Sequence, residues 1–299
     1  MIALVSHDAG GAEILSSWIR KNKEPYYLVL KGPAITIFKS KLGNCKIHTL
    51  EEAIKFSDLV ICGTSWQSDL ERQAIILSKS LGKKVIAFLD HWVEFQGRFQ
   101  MEEAFVFPNE IWVGDKDAEI IAKKIFPEID IFLKPNPYLE DIKSEFKRMK
   151  KNFKRSKKYS VLYVTEPLRE QALLQYGNDY HFGYTEEDAL RFFLKNLYIL
   201  RSDGIDEIKI RPHPSENKNK YNWVMQENSL VVETASNKTL LQQILEADLI
   251  VGCESMAMVV ALIVGKRVIS SIPQGGNICG LPQAGIEHLQ LLIKKAKEI

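Results

Sequence analysis

The sequence predicts an α/β protein made of two βα domains facing a cleft. Three observations carry that prediction. Short apolar runs alternate with longer amphipathic stretches, the pattern of parallel strands joined by crossover helices. The alternation occurs as two series of similar length. Between them, Lys134-Pro135-Asn136-Pro137 breaks regular structure, and a densely basic stretch follows before a new apolar run opens at Ser160.

In the first series, apolar runs predict strands at Ile2–Ser6 (IALVS), Tyr26–Leu30 (YYLVL), Leu59–Cys62 (LVIC), 84–88 (KVIAF) and Glu110–Val113 (EIWV). Helical patterns follow at 11–21, 69–81 and Lys116–Ile125. In the second series, strands are expected at Ser160–Val164, Glu207–Arg211, 229–232, 248–252 and Arg267–Ser270. Helices are expected at 186–202, 238–246, 255–264 and 287–297. The division falls into domains at 1–140 and 159–299, with 141–158 as a basic linker, and the last helix could cross back to the first domain. No internal repeat of fixed period is visible.

At 299 residues the chain has room for two ordinary domains. It is 45% hydrophobic and 26% charged, the composition of a soluble globular protein. A formal net charge of +2 argues against a dedicated nucleic-acid binder. Cys45, Cys62, Cys253 and Cys279 are too widely spaced for a zinc motif and too few for a disulfide framework, so a reducing, cytoplasmic setting is expected. Met1 leads straight into Ile2-Ala3-Leu4-Val5, so no secretory leader is expected, and no run approaches the roughly 20 apolar residues of a membrane span. Residues 143–158 (KSEFKRMKKNFKRSKK) contain Glu145 as their only acid. Such a stretch could touch anionic lipid headgroups at the inner face of a membrane, worth about 1 kcal/mol per charge. A solvated interdomain helix is the alternative.

Chemistry concentrates at predicted strand ends. In Arg211-Pro212-His213-Pro214-Ser215-Glu216 a strand stops abruptly, and a histidine between two prolines has little backbone freedom. Its ring could donate to a phosphate oxygen while Arg211 adds charge and Ser215-Glu216 open a short helix. A proline-rich turn with an incidental histidine is the bland alternative. Some forty residues on, a strand leads through Gly252-Cys253-Glu254-Ser255-Met256 into a helix. The helix N-terminus favours a phosphate, Ser255 can add a hydroxyl or cap the helix, and Glu254 could bind a ribose or a sugar hydroxyl.

These two segments resemble the donor half of bacterial GT-B enzymes: sialyltransferases, Kdo transferases and the glycerophosphotransferases that use CDP-glycerol. The resemblance covers roughly residues 160–270. It implies two Rossmann-like domains in a GT-B-like arrangement, with the carboxyl-terminal one holding a nucleotide sugar. CMP-linked donors are favoured, UDP or CDP are open, and no metal or cofactor is implied. It places His213 and Ser255 on the nucleotide phosphate. Many relatives carry paired Ser or Thr where this chain has Glu254-Ser255.

In the first series, Ser6-His7-Asp8-Ala9-Gly10-Gly11 follows the first strand and opens the first helix. Gly10 and Gly11 would let backbone approach a ligand. The resemblance implies a carboxylate base in this half; Asp8 is the first choice and His7 its rival, with a helix cap as the structural alternative. Leu89-Asp90-His91-Trp92 begins a loop rich in acid, imidazole and aromatic groups, suited to an acceptor sugar. Asp90 is the reserve base; a packed loop with Asp90 and His91 bonded to each other is the alternative. Asp115-Lys116-Asp117 matches a metal-binding DxD pattern but opens a helix, where acids favour the positive end. Glu166, after the strand at Ser160–Val164, could contact the donor. A loop containing Tyr176, Tyr180, His181 and Tyr184 is expected after that strand and, like the segment from Ser270 to Gly276, could cover a nucleotide.

The resulting expectation is metal-independent, inverting glycosyl transfer from a nucleotide donor to a glycan or lipid-linked glycan. A sugar-nucleotide epimerase or hydrolase, or a non-catalytic nucleotide-sugar binder, are the competing readings.

Overall fold

The central apolar runs form strands buried on both faces, as a parallel sheet covered by helices requires. The computed structural model describes residues 1–66, 68–234 and 236–298, in two units, Met1–Asp141 and Ile142–Ile299. In the first unit β1 (Ile2–Ser6) leads into α1 (Ala9–Asn22), and β2 (Tyr26–Leu30) into α2 (Pro33–Leu42) and α3 (Leu50–Lys55). Next come β3 (Leu59–Cys62) with α4 (Leu70–Ser80), and β4 (Lys84–Leu89) with a small hairpin, β5 (Gln100–Met101) and β6 (Ala104–Phe105). Finally β7 (Glu110–Val113) precedes α5 (Lys116–Ile125), and β8 (Asp130–Leu133) precedes α6 (Pro137–Lys150). The six-stranded sheet runs β2-β1-β3-β4-β7-β8, parallel throughout. Leu4, Leu15, Leu28, Phe38, Ile61 and Phe88 form its core with α1 and α2. Burying each such side chain contributes roughly 1.5–3 kcal/mol.

In the second unit, β9 (Ser160–Val164) is followed by α7 (Leu168–Tyr176), α8 (Glu186–Lys195) and α9 (Leu197–Leu200). Then β10 (Glu207–Arg211), α10 (Asn222–Glu227), β11 (Val231–Glu233) and α11 (Leu240–Glu246) lead to β12 (Leu249–Gly252) and α12 (Met256–Ile263). The chain ends with β13 (Arg267–Ser270), β14 (Ile286–His288) and α13 (Leu289–Lys297). Strand order is β11-β10-β9-β12-β13-β14, again all parallel.

Both sheets reverse direction beside their first strand: chain order runs one way from β1 to β2 and the other from β1 to β3, and likewise around β9. At such a point the crossover helices leave to opposite faces, and a crevice opens at the strands' carboxyl ends. That makes the ends of β1 and β3, and of β9 and β12, the candidate ligand positions of the two units.

The structure corrects several sequence expectations. The last helix stays in the second unit: Leu289 is part of its core, and Leu292 and Ile293 pack against it. Residues 186–202 form two helices, since Asn196 ends α8 and starts α9 with φ −117°. The segment after Val164 is largely α7, and Ser215-Glu216 lie in a turn. Strand β8 was not expected because it is an edge, with three of its four residues exposed. Helix α6 crosses the expected linker boundary, and its start is tied to α1 by Arg20–Asp141 (2.6 Å) and Lys21–Glu140 (2.7 Å). All four cysteines are free, and Cys62 and Cys253 are buried. Among the described residues no helix is long and apolar enough to cross a membrane.

Candidate functional site

At the end of β9, Thr165 and Glu166 reach to opposite neighbours. On one side, the His213 amide beyond β10 donates to Thr165 Oγ1 (3.1 Å). On the other, the Glu254 amide beyond β12 donates to Glu166 Oε1 (2.7 Å). Two hydrogen bonds therefore join the three strand ends carrying His213, Glu166, Glu254 and Ser255. With strands about 4.8 Å apart, the His-Pro turn and the start of α12 are separated by roughly 10 Å along the sheet edge.

The turn itself is built on Glu216, whose side chain is fully buried. Its Oε2 accepts from the His213 amide (2.9 Å) and from Thr165 Oγ1; its Oε1 accepts from Tyr221 Oη (2.6 Å) and Lys220 Nζ (2.9 Å). Burial alone would raise this carboxyl, but the bonds from Thr165, Tyr221, Lys220 and the His213 amide hold it below the usual range. Four acceptor positions filled by donors fix the loop against the sheet. Glu170, Glu186 and Glu216 approach closely enough to share a cation, and the Lys220 ammonium lies against all three at 2.8, 2.6 and 2.9 Å.

Within the turn, the Ser215 amide donates to His213 Nδ1 (3.2 Å), with Ser215 Oγ at 2.7 Å from the same nitrogen. An amide can only donate, so Nδ1 is the acceptor and the neutral ring carries its proton on Nε2. Burial lowers the His213 pKa, partly opposed by Glu216. A neutral imidazole with a donating Nε2–H results. Pro214 is exposed in this turn. Arg211 is placed differently from expectation. Its guanidinium donates to Gln243 Oε1 and to the Lys238 carbonyl (3.1 Å), so it braces the start of α11.

Ser255 caps α12: its Oγ accepts the Ala257 amide (3.2 Å), and Met256 is the first helical residue. Burial raises the Glu166 carboxyl to about 7, against the bond from the Glu254 amide. Burial likewise raises Glu254. Of the two covering segments, Tyr184 is buried, Tyr176 stacks on His181 with ring centres 3.6 Å apart, and Tyr180 is exposed. They meet at Gly183, where an added Cβ would lie 2.5 Å from the Gly275 carbonyl oxygen.

In the first unit, Asp8 begins α1 but its side chain does not cap it. Asp8 Oδ1 accepts from Ser65 Oγ (2.8 Å) and lies 2.6 Å from His7 Nδ1, while Oδ2 accepts the Trp66 amide (3.1 Å). These bonds span β1 and β3, where the sheet order reverses. The carboxylate accepts, so His7 Nδ1 is the donor of this pair and Nε2 is the ring nitrogen turned away from it. Behind them Glu71, 3% exposed, accepts the His7 amide at 2.6 Å. Its other oxygen has no hydrogen-bond partner among the described residues. Burial pushes this carboxyl up to about 7, with the Asp8 charge adding to it.

The loop after β4 is mostly engaged in its own packing. Asp90 pairs with buried Arg98 (2.8 Å) and accepts from Thr64 (3.2 Å), which leaves it poorly suited as a base; it is not bonded to His91. Burial lowers the His91 pKa, and its Nδ1 is without a hydrogen-bond partner among the described residues. Trp92, 6% exposed, donates its indole N–H to Asp115 (2.8 Å), so its ring is not an open stacking face. Asp115 also caps α5 through the Ala118 amide (2.8 Å), in keeping with the helix-start reading of the DxD pattern. The two glycines serve internal packing. A Cβ on Gly10 would sit 1.8 Å from Asp90 Oδ2, and one on Gly11 would sit 3.0 Å from Gly63 Cα.

Sequence reading missed Ser65, Glu71, Arg98, Thr165 and Lys220 as parts of these clusters. Ser65 and Thr165 follow strand ends, as His213 and Asp8 do, so their positions carried a signal. Glu71 and Lys220 lie on the helical or loop side and carried none.

No family model matches the chain, and no curated protein matches it in sequence. Solved structures do resemble it. The UDP-GlcNAc 2-epimerase of Methanocaldococcus jannaschii superposes with a TM-score of 0.64 at 13% identity, over 100% of this chain and 92% of the epimerase. Anabaena HepE, in complex with UDP and glucose, gives 0.57 at 11% identity, over 99% and 89%. The α/β-galactoside α-2,3-sialyltransferase of Photobacterium phosphoreum gives 0.51 at 10% identity, over 97% and 98%. The chain thus has the two-domain α/β fold of GT-B-type proteins.

Proposed function

We propose that the chain is a glycosyltransferase that takes its sugar from a pyrimidine nucleotide. The observation that carries this reading is the His213 turn, whose hydrogen bonds leave a neutral ring with a donating Nε2–H beside the switch point of the second sheet. Such a donor suits a phosphate oxygen on which charge develops as the glycosidic bond breaks. The N-terminus of α12 adds partial positive charge two strands away. Glu166 and Glu254 are suited to hydroxyls of the ribose or sugar. The first unit supplies the base: His7 Nε2 takes the acceptor proton, and Asp8 orients the ring and stabilises the imidazolium. The acceptor oxygen then attacks the anomeric carbon and the nucleotide leaves, with inversion and without a metal in either role.

Support also comes from the fold. The epimerase is named for UDP-GlcNAc, HepE was solved with UDP and glucose, and the third relative is a sialyltransferase. CMP remains the nucleotide favoured by the His-Pro resemblance. The test is thermal denaturation with CMP, CDP, UDP and GDP, in wild type and His213→Ala. One of the three pyrimidine nucleotides should raise the Tm of wild type and do so far less in the variant. No shift with any nucleotide at millimolar concentration would sink the reading.

A second reading, a sugar-nucleotide epimerase or hydrolase, draws on Glu166, whose carboxyl near 7 could carry a proton at the donor side. It predicts turnover of the nucleotide sugar with no acceptor present, which the first reading does not.

A further inference from the structure

Three lysines of α6, Lys143, Lys147 and Lys150, fall on one face of the helix, spaced by four and three residues. They line an open groove of about 400 Å³ whose remaining lining is Phe146, Ile263, Val264 and Gly265. All of these residues belong to the second unit. None of the three lysines has an ion-pair partner among the described residues, and residues 143–158 hold nine cations against one acid. Lys266 lies behind them, 5.9 Å from the Phe146 ring centre, with its ammonium donating to the Leu245 and Ala247 carbonyls. Burial holds its pKa down, and Arg155 and Lys150 add to this against the pull of Asp248. Apolar lining between unpaired lysines matches an amphiphile with an anionic head. Lysine stems lie along apolar surface while their charges reach outward.

We propose that this groove docks on a bilayer of acidic phospholipid, with the lysines on headgroup phosphates and Ile263 and Val264 toward the acyl region. The inference is independent of the reaction the chain performs. It is tested by sedimenting the full chain with phosphatidylcholine vesicles, with and without phosphatidylglycerol. Binding should require phosphatidylglycerol and weaken as salt rises. Reversing the three charges (Lys143→Glu, Lys147→Glu, Lys150→Glu) should weaken partitioning by at least about 100-fold, the drop that losing three favourable charges alone predicts. The same charge change on exposed α13 (Lys294→Glu, Lys295→Glu, Lys297→Glu) should leave it intact, and both variants should keep the wild-type circular dichroism spectrum. Absence of binding to the anionic vesicles at low salt would overturn the proposal, as would equal loss in both triple variants. Duplex DNA bound as tightly as the vesicles, and lost in the same α6 variant, would also overturn it by marking a general polyanion surface.

Discussion

Glu166 Oε1 accepts the amide of Glu254 at 2.7 Å, across the two strands between which the second sheet reverses its order. The bond holds the start of α12 in place, and it survives in Glu166→Gln because the amide oxygen still accepts. What the substitution removes is a titration. Burial raises the carboxyl from 4.5 to about 7 in the folded chain. Between those values the native state keeps a proton that the unfolded state has released. Stability therefore falls as pH rises across that window and is level above it. Glu166→Gln should be more stable than wild type at pH 8, by on the order of 1–3 kcal/mol, with the gap closing toward pH 4.5. Urea denaturation at a series of pH values measures it.

The His213 ring, held by Ser215, offers one hydrogen bond outward. Losing a donor aimed at developing charge typically costs about 10²–10³ in turnover. His213→Ala should show that loss with the sugar donor, while its Tm without ligand stays close to wild type because the ring is only half-buried. His213→Gln, which restores an N–H near the Nε2 position, should recover part of it. Equal turnover in wild type and alanine variant would remove His213 from the chemistry.

Much of this arrangement was legible in the sequence, and the reasons differ by element. The central strands were readable because two-sided burial demands unbroken apolar runs, as in IALVS and SVLYV. Edge strands such as β8 lack that demand, and the three residues of β14 are too short to show a period. His213, Asp8 and Ser255 were readable because proline, glycine and capping residues mark strand ends. Their partners were not. In the sequence Glu216 reads only as part of a helix start, yet it organises the turn through bonds to residues up to 51 positions away. Trp92 was misread because an aromatic residue in a loop gives no sign of whether its ring faces solvent or, as here, is buried beside Asp115.

Glu216 makes its own prediction. Its carboxyl is held below 4.5 by four donors, so it contributes stability that is full above pH 4.5 and is lost as pH falls through the depressed value. Glu216→Gln presents an amide nitrogen where a charged acceptor stood, leaving the His213 amide or the Tyr221 hydroxyl facing a donor. A loss of about 2–4 kcal/mol at pH 7 is expected, narrowing in acid. Chemical denaturation of the two proteins at pH 7 and pH 3 tests both the size and the sign.

Asp8 and His7 form a pair in which the carboxylate decides the tautomer of the ring. Nδ1 donates to Asp8, which leaves Nε2 as the nitrogen assigned to the acceptor proton in the proposed reaction. Asp8→Asn is nearly isosteric, and with its oxygen in the Oδ2 position it still accepts the Trp66 amide, so the β1–β3 crossing should persist. Its amide nitrogen then stands where Oδ1 stood, facing both Ser65 Oγ, which can turn to accept, and His7 Nδ1, where it donates and drives the ring proton onto Nε2. The base is then blocked without being removed, and a loss of about 10³–10⁴ in turnover is expected, with nucleotide binding to the second unit unchanged. His7→Ala should lose as much, and the double variant no more than either single one, because residues acting as one unit are not additive. A double variant whose losses multiply would show instead that Asp8 and His7 act separately, and would return the role of base to the carboxylate.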